Sequence, residues 1–479
     1  MRRNLKYIPF ALTAISAPCQ ITLAKQVNIT NKEEEKPNVV LILADDVCFN
    51  DLELYGSKNT STPNLNKLAS EGITFNNCFQ QAPMSSPTRH ALYTGLYPVR
   101  SGAIPNHTMV YDDVKSFVQH FGEVGYRTAL YGKEHIAPRS VFSYEYLGDY
   151  SKGEMDFSLI EDCIISQSNK PLFLVVASHE AHGPYDCGNP EKWDTKDIVL
   201  PPYHVDTPAL RLAYRKYLAE VEVLDYQIGK INEIIKKSGK EENTIYIFLS
   251  EQGNSFPFAK WTCYSQGLHS GMVIKYPKII NSGTSSDALV EYVDVIPTLL
   301  DIAEIKYKSK DFDGKSFAKI LNGKQAEHKK YTYGLLSSTG VNSGPQFYGT
   351  RSIADKKYRF ILNLNSEVEY FNPATSGAIW SQAKESANNG DDFAKSYVSR
   401  YTKRPMYELY DTENDPFEMN NLAYDSKYSK VVNKMKSELK KWMKNQGDKG
   451  IKTEEYAVQR LQGFAVKKYE SRFGSKNKK

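Results

Sequence analysis

Four short apolar runs recur in the first part of the chain, and polar residues directly follow each of them. The runs cover residues 38–44, 127–131, 172–177 and 244–249. The first is continuous and rich in β-branched side chains, which is typical of a strand buried on both faces of a sheet. Amphipathic stretches separate the runs. This alternation predicts an α/β fold with a mostly parallel sheet flanked by helices.

The longest amphipathic stretch lies between the third and fourth runs. Thr207 and Pro208 provide a helix cap and a first-turn proline, and Gly239 ends the pattern. Between them, apolar side chains recur at helical spacing and form one face. The members of this face are Ala213, Tyr217, Val221, Leu224, Ile228, Ile231 and Ile235. We therefore predict one long helix that packs against the sheet.

The hydrophobic pattern changes after about residue 329. Short runs predict antiparallel strands at residues 331–336, 351–354 and 358–364, with a hairpin turn at 355–357. A charged helix is expected from about residue 426 to residue 445. We predict an α/β domain over residues 25–328, a smaller α+β domain over residues 329–465, and a loose basic tail over residues 466–479.

The first residues have the pattern of an export signal. Three basic residues among the first six precede an apolar stretch over residues 7–17, and a cleavage site near Ala24 predicts a signal peptide over residues 1–24. We expect an exported protein, periplasmic or extracellular. The apolar stretch is too short to span a bilayer, and no other segment is expected to do so. Pro18 before Cys19 argues against a lipid anchor at that cysteine.

Composition and charge narrow the classes of function. With 41% hydrophobic and 24% charged residues, the chain has the composition of an ordinary folded protein. Its formal net charge of +5 is small for 479 residues, so we expect no nucleic-acid partner. Five cysteines follow the predicted signal and are widely scattered, so the fold should not depend on a disulfide.

The polar residues that follow the four apolar runs have the chemistry of one site. They are Asp45 and Asp46 after the first run, Lys133 and His135 after the second, His179 and His182 after the third, and Glu251 and Gln252 after the fourth. In open α/β sheets, ligands bind beyond the carboxyl ends of the strands. The carboxylate and amide oxygens suit Ca²⁺ or Mg²⁺. The lysines and histidines suit a tetrahedral oxyanion, so the site predicts a sulfate or phosphate substrate.

A fifth element supplies a nucleophile. Ser86 can cap a helix, Pro87 suits its first position, and Gly95 can close it. Ser85 then lies just ahead of a helix N-terminus, where the helix dipole favours an anion. Arg89, one turn into the helix, can reach back towards Ser85. Together with the strand-end residues, this pattern predicts that residue 85 is the nucleophile.

These residues resemble the signature of the type I sulfatases of the alkaline-phosphatase superfamily. Ser85, Pro87 and Arg89 match it at alternate positions, and Thr94-Gly95 completes it. Further matching segments follow in the expected order, at residues 38–46, 62–69, 125–135, 291–300 and 408–422. Within the family, several stretches look closest to sulfamidases, which remove N-linked sulfate from glucosamine. These stretches are residues 132–138, 178–182, 250–260, 348–352 and 359–365.

The resemblance implies a mechanism and a set of roles. Ser85 would be oxidised by a maturation enzyme to formylglycine, whose hydrate attacks sulfur. A divalent metal, Ca²⁺ with Mg²⁺ as the alternative, would be held by Asp45, Asp46, Ser85, Glu251 and Gln252. The other implied roles are Arg89 and Lys133 at the nucleophile, Lys133 and Lys260 at the sulfate, His182 as the acid for the leaving group, and His135 as the base that helps regenerate the aldehyde.

The sequence leaves open the role of His179 and the identity of the metal. His179 is either a substrate contact or a structural histidine, and the remaining histidines, including His107, show no partner pattern. The family usually has Asp-Asn where this chain has Glu251-Gln252, so each arm is one methylene longer, and the identity of the metal is in doubt.

The expected substrate is a sulfated saccharide, with N-sulfated glucosamine of heparin or heparan sulfate as the first choice. An O-sulfated hexosamine or galactose of host glycans is the second. Two other hypotheses are a phosphoryl hydrolase that uses an unmodified Ser85, and a noncatalytic glycan-binding protein.

Overall fold

Nine strands form one mostly parallel sheet in the part of the chain that the structure describes, residues 35–166 and 169–474 of a computed structural model. They are β1 (Asn38–Ala44), β2 (Ile73–Phe79), β3 (Arg127–Gly132), β4 (Glu145–Gly148), β5 (Leu172–Ala177), β6 (Thr244–Ser250), β7 (His269–Lys275), β8 (Thr284–Ser286) and β9 (Val290–Glu291). The four predicted runs are strands β1, β3, β5 and β6. The predicted signal peptide, residues 1–24, lies outside the described residues.

The order of the strands aligns the four predicted strand ends. The sheet runs β4-β3-β5-β1-β6-β7-β2-β8, with β9 paired to β2. Strands β3, β5, β1 and β6 are neighbours and parallel. In their register, Ala177 lies opposite both Gly132 and Leu43, and Ala44 lies opposite Ser250. The residues that follow these strands therefore emerge at one edge of the sheet, as predicted.

Helices cover both faces of the sheet. The helices that precede the second sheet are α1 (Pro63–Ser70), α2 (Ser85–Thr94), α3 (Pro98–Ser101), α4 (Phe117–Gly122), α5 (Phe157–Ile165), α6 (Pro208–Lys237), α7 (Ser265–Leu268), α8 (Val295–Ile302) and α9 (Ala318–Leu321). Alternate side chains of β1 enter two different cores: Val39 and Leu41 pack in one, Val40 and Ile42 in the other. This explains the continuous apolar run of a strand covered on both sides.

The predicted long helix is α6. The side chain of Thr207 caps it by accepting from the backbone N–H of Leu210, and Pro208 is the first helical residue. Its apolar face, including Val221 and Ile228, packs in the same core as Val40.

A second, antiparallel sheet of four strands follows. Its strands are β10 (Thr332–Ser337), β11 (Gly349–Ala354), β12 (Tyr358–Asn363) and β13 (Tyr407–Asp411). The predicted hairpin turn is present, because the Asp355 carboxylate accepts from the backbone N–H groups of Lys357 and Tyr358 at 3.0 and 2.8 Å. The helices of this part are α10 (Gly377–Asn388), α11 (Asp392–Thr402), α12 (Ser429–Gln446), α13 (Ile451–Ala457) and α14 (Phe464–Phe473). Helix α12 matches the predicted charged helix, whereas β13, α10 and α11 were not predicted.

The predicted loose tail over residues 466–479 is wrong as far as Phe473. Helix α14 spans Phe464–Phe473 and buries Ala465 and Tyr469. Just before it, the backbone N–H of Gln462 donates to the carbonyl of His107 at 3.0 Å. The sequence suggested a tail because lysines dominate this segment, but its apolar residues recur at helical spacing. Residues 475–479 lie outside the described residues.

Two further sequence expectations concern cysteines and membranes. The five cysteines after the predicted signal are all free thiols. Among the described residues, no helix combines the length and the hydropathy needed to cross a bilayer. The boundary predicted between residues 328 and 329 stays a prediction, since the described residues from Lys36 onward belong to one compact unit.

The end of β3 generates a testable prediction about stability. Gly132 has a φ of +92°, and a Cβ there would collide with the backbone carbonyl of Ala177. We expect Gly132→Ala to lower the free energy of unfolding by about 2 kcal/mol or more, because a backbone clash adds to the cost of a left-handed residue. Urea unfolding measures this. The control is Gly122→Ala, where nothing lies within 4 Å of the new Cβ. An equal effect in both variants would contradict the prediction.

Candidate active site

The centre of the site is a buried group of polar side chains beyond the ends of β1 and β6. Asp45, Asp46, Glu251 and Gln252 are completely buried. The backbone N–H of Glu251 donates to the carbonyl of Ala44 at 2.8 Å, which extends the pairing of β1 and β6 into the site. Both strands therefore deliver their polar residues to the same place, and strand pairing fixes the distance between them.

Helix α2 brings Ser85 to this group. The helix begins at Ser85 itself, two residues earlier than the predicted start at Pro87, and Ser86 is helical rather than a cap. Gly95 closes it with a φ of 68°, as predicted. The Ser85 hydroxyl donates to the Asp45 carboxylate at 3.1 Å. Because a helix N-terminus carries partial positive charge, residue 85 lies where negative charge is stabilised.

Gln252 links the serine to the two aspartates. Its amide Nε2 lies 2.7 Å from Ser85 Oγ, 2.6 Å from Asp46 Oδ1 and 3.4 Å from Asp45 Oδ1. Its other amide atom, Oε1, is buried and has no hydrogen-bond partner among the described residues. A buried amide oxygen without a partner, on a side chain that touches two carboxylates, is a feature that a bound cation would satisfy.

The residues present fit an oxygen-ligated divalent cation. Asp45, Asp46, Gln252 and Ser85 offer two carboxylates, one amide oxygen and one hydroxyl, the donor types that Ca²⁺ and Mg²⁺ prefer. Within the described residues, no group of three or more His, Cys, Asp or Glu side chains is arranged to hold a metal. The fit therefore depends on the amide and the hydroxyl as well as on the two aspartates.

Glu251, the remaining predicted ligand, is occupied by Arg89. Arg89 is completely buried. Its Nη2 lies 2.5 Å from Glu251 Oε2, and its Nε donates to Oε1 at 3.2 Å. Burial raises the pKa of Glu251, whereas the Arg89 guanidinium favours its ionised form. The structure thus brings Glu251 to the guanidinium, and Arg89 in turn reaches the backbone carbonyl of Lys133 at 2.8 Å.

Cationic side chains surround the aspartates. Lys260 Nζ lies 2.6 Å from Asp46 Oδ2, and Lys133 pairs with Asp45. Burial by itself would raise the pKa of Asp45, but Lys133, His182 and Arg89 together hold it well below its usual range. Asp45 is therefore ionised, and the lysines carry charge into the site where an anionic group of a substrate would lie.

His182 and His179 have different surroundings. His182 Nδ1 lies 2.7 Å from the carbonyl of Gly183 and therefore carries the proton, which leaves Nε2 facing Asp46 at 3.7 Å. His179 instead bonds to Asp149, with Nε2 2.6 Å from its carboxylate. The structure brings His182 into the site and directs His179 towards Asp149.

Three of the predicted site residues have a left-handed backbone. The φ angles are 59° at Asp46, 50° at His135 and 29° at Gln252. None of them is glycine, so each conformation costs on the order of 1–3 kcal/mol. Such strain persists where the surrounding structure imposes it, most often at functional sites.

A cavity of about 570 Å³ opens above Ser85. Predicted residues that line it are Lys133, His135, His182 and Lys260. Lining residues that sequence reasoning missed include Asn106, His107, Ser255, Trp261, Asn342 and Phe464. No local motif marks these positions. His107 meets its partner His135 only in the folded chain, where Nδ1 of His107 lies 2.8 Å from Nε2 of His135.

A serine at a helix start, flanked by buried carboxylates and by cations under an open cavity, has the components of a hydrolase site for an anionic ester. The comparison with protein families makes this specific. Residues 37–305 match the family model described as Sulfatase, and residues 253–372 match the one described as N-sulphoglucosamine sulphohydrolase, C-terminal. The chain belongs to the sulfatase family and is a hydrolase of sulfate esters or sulfamates. This favours a sulfatase over the phosphoryl hydrolase and the noncatalytic glycan-binding protein.

Individual relatives agree with the family. An ulvan-active sulfatase of Formosa agariphila is 31% identical over 86% of this chain and 81% of its own length. The N-sulphoglucosamine sulphohydrolase of Homo sapiens is 25% identical over 85% of this chain and 89% of its own. A structure solved with its substrate D-glucosamine-2-N,6-O-disulfate shares the fold, with a TM-score of 0.64, 20% identity, and coverage of 86% of this chain and 99% of that one.

The pairing of Glu251 with Arg89 generates the next prediction. Glu251→Ala leaves Arg89 buried without its nearest carboxylate, so we expect a loss of about 3 kcal/mol or more in the free energy of unfolding. Gln252→Ala removes an amide beside the aspartates, so it should lower metal affinity more than stability. Chemical unfolding and calorimetric titration with Ca²⁺ measure the two effects.

Glu251→Gln is the matched control, because it keeps the shape of the side chain and removes only its charge. Wild-type stability together with lost Ca²⁺ affinity in Glu251→Ala would contradict the pairing and favour Glu251 as a direct metal ligand. Wild-type affinity in both alanine variants would remove both residues from the metal site.

Proposed function

We propose that this protein removes sulfate from sulfated glycans, with a formylglycine made from Ser85 and a bound divalent metal, and that it prefers N-sulfated glucosamine. The observation that carries the proposal is the environment of Ser85. Its hydroxyl lies between Asp45 and Gln252 at 3.1 and 2.7 Å, at a helix start and at the floor of the cavity.

Chemistry explains why a modified serine is needed. A plain serine that attacked sulfur would form a sulfate ester with no easy exit, whereas a hydrated aldehyde keeps a second hydroxyl that allows the sulfate to be expelled. The conversion removes two hydrogens from the Ser85 side chain. The maturation enzyme that performs it is a proposed partner, and an exported, periplasmic or extracellular location is proposed from the predicted signal.

The lysines supply the charge that a sulfate needs. Lys133 and Lys260 line the cavity and pair with Asp45 and Asp46. Because Lys260 is buried, its ammonium stabilises developing negative charge more strongly than it would in water. Both lysines would bind the sulfate oxygens, and Arg89, anchored by Glu251, would support the nucleophile from below.

His182 is oriented to protonate the leaving group. Its Nδ1–H donates to the Gly183 carbonyl, so the ring is oriented with Nε2 towards the site. A histidine held in this way can carry a proton on Nε2 to the departing oxygen or nitrogen of the sugar. His135 also lines the cavity, and the family resemblance assigns it the role of a base.

The metal would be held by Asp45, Asp46, Gln252 and residue 85, with Ca²⁺ as first choice and Mg²⁺ as second. When bound, it supplies a Lewis acid that polarises a nucleophile and a sulfate oxygen. Its charge would also balance the two adjacent aspartates, together with Lys133 and Lys260.

Support for the sugar comes from the relatives. The second family match carries the name of an N-sulphoglucosamine sulphohydrolase, and a relative of that name aligns over 85% of this chain. An O-sulfated sugar is the second candidate, because a relative named N-acetylglucosamine-6-O-sulfatase aligns over 94% of this chain at 23% identity. The same fold can host either activity, so the residues that line the cavity determine which sulfated sugar is hydrolysed.

The nucleophile gives a direct prediction. When the protein is co-expressed with a formylglycine-generating enzyme, the tryptic peptide that contains Ser85 should lose the mass of two hydrogens, and Ser86 in the same peptide should stay unmodified. Ser85→Ala should reduce turnover by at least about 10³-fold, because nucleophilic attack is lost. Peptide mass spectrometry and sulfate release measure these effects. Full activity in Ser85→Ala would overturn the mechanism.

Metal removal gives another prediction. Chelation should abolish sulfate release, and added Ca²⁺ or Mg²⁺ should restore it. At a concentration 100 times its Kd, the ion should also stabilise the fold by about 2.7 kcal/mol. Asp46→Ala should lose both responses, since a carboxylate ligand is gone. If the chelated protein kept its activity and its melting temperature, the proposed metal would be wrong.

The substrate proposal predicts strong discrimination. A site that hydrogen-bonds ring hydroxyls can reject the wrong isomer by on the order of 10⁴-fold. We expect faster sulfate release from N-sulfoglucosamine than from 6-O-, 4-O- or 3-O-sulfated monosaccharides, measured as kcat/KM. Cleavage of an O-sulfated sugar with no action on the N-sulfated one would leave the sulfatase in place and reject the sulfamidase.

A further inference from the structure

A chain of hydrogen bonds connects the nucleophile helix to His135 through two residues outside the predicted site. The backbone N–H of Ser86 donates to Asn106 Oδ1 at 3.4 Å. Asn106 Nδ2 lies 3.3 Å from His107 Nε2, and His107 Nδ1 lies 2.8 Å from His135 Nε2. The last atom, His135 Nδ1, is buried and has no hydrogen-bond partner among the described residues.

We propose that His107 is a positioning residue that holds His135 as the Nδ1–H tautomer, so that the ring nitrogen of His135 that has no partner among the described residues is a donor. This inference rests on the proposed function for its catalytic meaning. The tautomer itself follows from the hydrogen bonds and can be measured on its own.

The orientation of Asn106 sets the direction of the chain. A backbone N–H is always a donor, so the Asn106 atom that faces Ser86 must be the amide oxygen. The amide nitrogen therefore faces His107 and donates to its Nε2. The reverse orientation would place the amide nitrogen against the N–H of Ser86, two donors in contact.

The position of each proton then follows. A neutral histidine carries one ring proton, so His107, which accepts at Nε2, carries its proton on Nδ1. Burial, together with the charges of Lys133 and Lys260, lowers the pKa of His107 to about 4, so the ring is neutral near pH 7. His107 donates to His135 Nε2, and the single proton of a neutral His135 therefore lies on Nδ1.

The backbone supports a specific role for this pair. Both histidines have left-handed φ angles, 54° at His107 and 50° at His135, which non-glycine residues rarely adopt. The C-terminal segment holds His107 from the other side. Gln462 donates its N–H to the His107 carbonyl, and the ring of Phe464 packs edge-on at 4.5 Å. The left-handed backbone and the contacts with Gln462 and Phe464 together fix the position of the His107 ring.

The consequence concerns the role of His135. A base must offer a lone pair to the substrate, whereas the Nδ1–H tautomer offers a proton. In this arrangement Nδ1 of His135 can donate a hydrogen bond to an oxygen that reaches it, but it has no lone pair that could accept a proton. This differs from the role of a base that the family resemblance assigns to the same residue.

The test is ¹⁵N NMR of the holoenzyme with ring-labelled histidine, because the two ring nitrogens have different shifts when protonated or bare. His135→Gln identifies the His135 signals. We expect a protonated Nδ1 and a bare Nε2 in the wild type. Asn106→Asp, nearly identical in shape, turns the amide donor into an acceptor and should reverse the tautomers of both histidines. A wild-type His135 with a bare Nδ1 would overturn the inference, as would an unchanged His135 tautomer in Asn106→Asp when His107 is singly protonated in that variant.

Steady-state kinetics of His107 variants provide a second test of the inference. His107→Ala should lower kcat by about 10–100-fold with a smaller change in KM, because a misplaced group costs mainly in the transition state. His107→Asn keeps an amide N–H near the place of Nδ1–H, so it should retain more activity. Phe464→Ala is the packing control and should leave the tautomer unchanged.

Equal losses in His107→Ala and His107→Asn would reduce His107 to a structural role and contradict the inference. The two proposals fail separately. A wild type that releases no sulfate from any sugar refutes the function, whereas the NMR result tests the tautomer whatever the substrate.

Discussion

The charge balance of two adjacent buried aspartates is the constraint on which this site depends. Asp45 and Asp46 are completely buried, and an unpaired charge in such a place would cost several kcal/mol. Lys133, Lys260 and Arg89 lie close enough to offset it. If these cations lay further away, the two buried carboxylates would repel each other without compensation. The same constraint therefore keeps a cluster of positive charge at the floor of the cavity, ready for an anionic substrate.

The features that the sequence predicted best are those set by burial. Strands β1, β3, β5 and β6 appear as apolar runs because both faces of the sheet are covered, and Val39 and Val40 even enter different cores. Parallel pairing then aligns the ends of these strands, so residues far apart in sequence could be assigned to one site. The start of α2 was misplaced by two residues, because Pro87 is as compatible with the first turn as with the first position.

The features that the sequence did not predict depend on contacts between distant segments. The role inferred for His107 depends on its contacts with His135, Asn106 and Phe464. None of these contacts produces a periodic pattern in the sequence. Helix α14 was not predicted for a different reason. Its lysines suggested a solvated tail, yet Ala465 and Tyr469 are buried, so a few apolar positions were enough to dock the helix.

The lengths of the Glu251 and Gln252 side chains determine which residues of the site they contact. Each arm is one methylene longer than the Asp-Asn that the family usually has at this place. The length of Glu251 lets its carboxylate reach both Nε and Nη2 of Arg89, which ties helix α2 to the end of β6. The length of Gln252 lets its amide contact Ser85 and Asp46 together. The two residues therefore make different contacts, the glutamate with the arginine and the glutamine with the serine and Asp46.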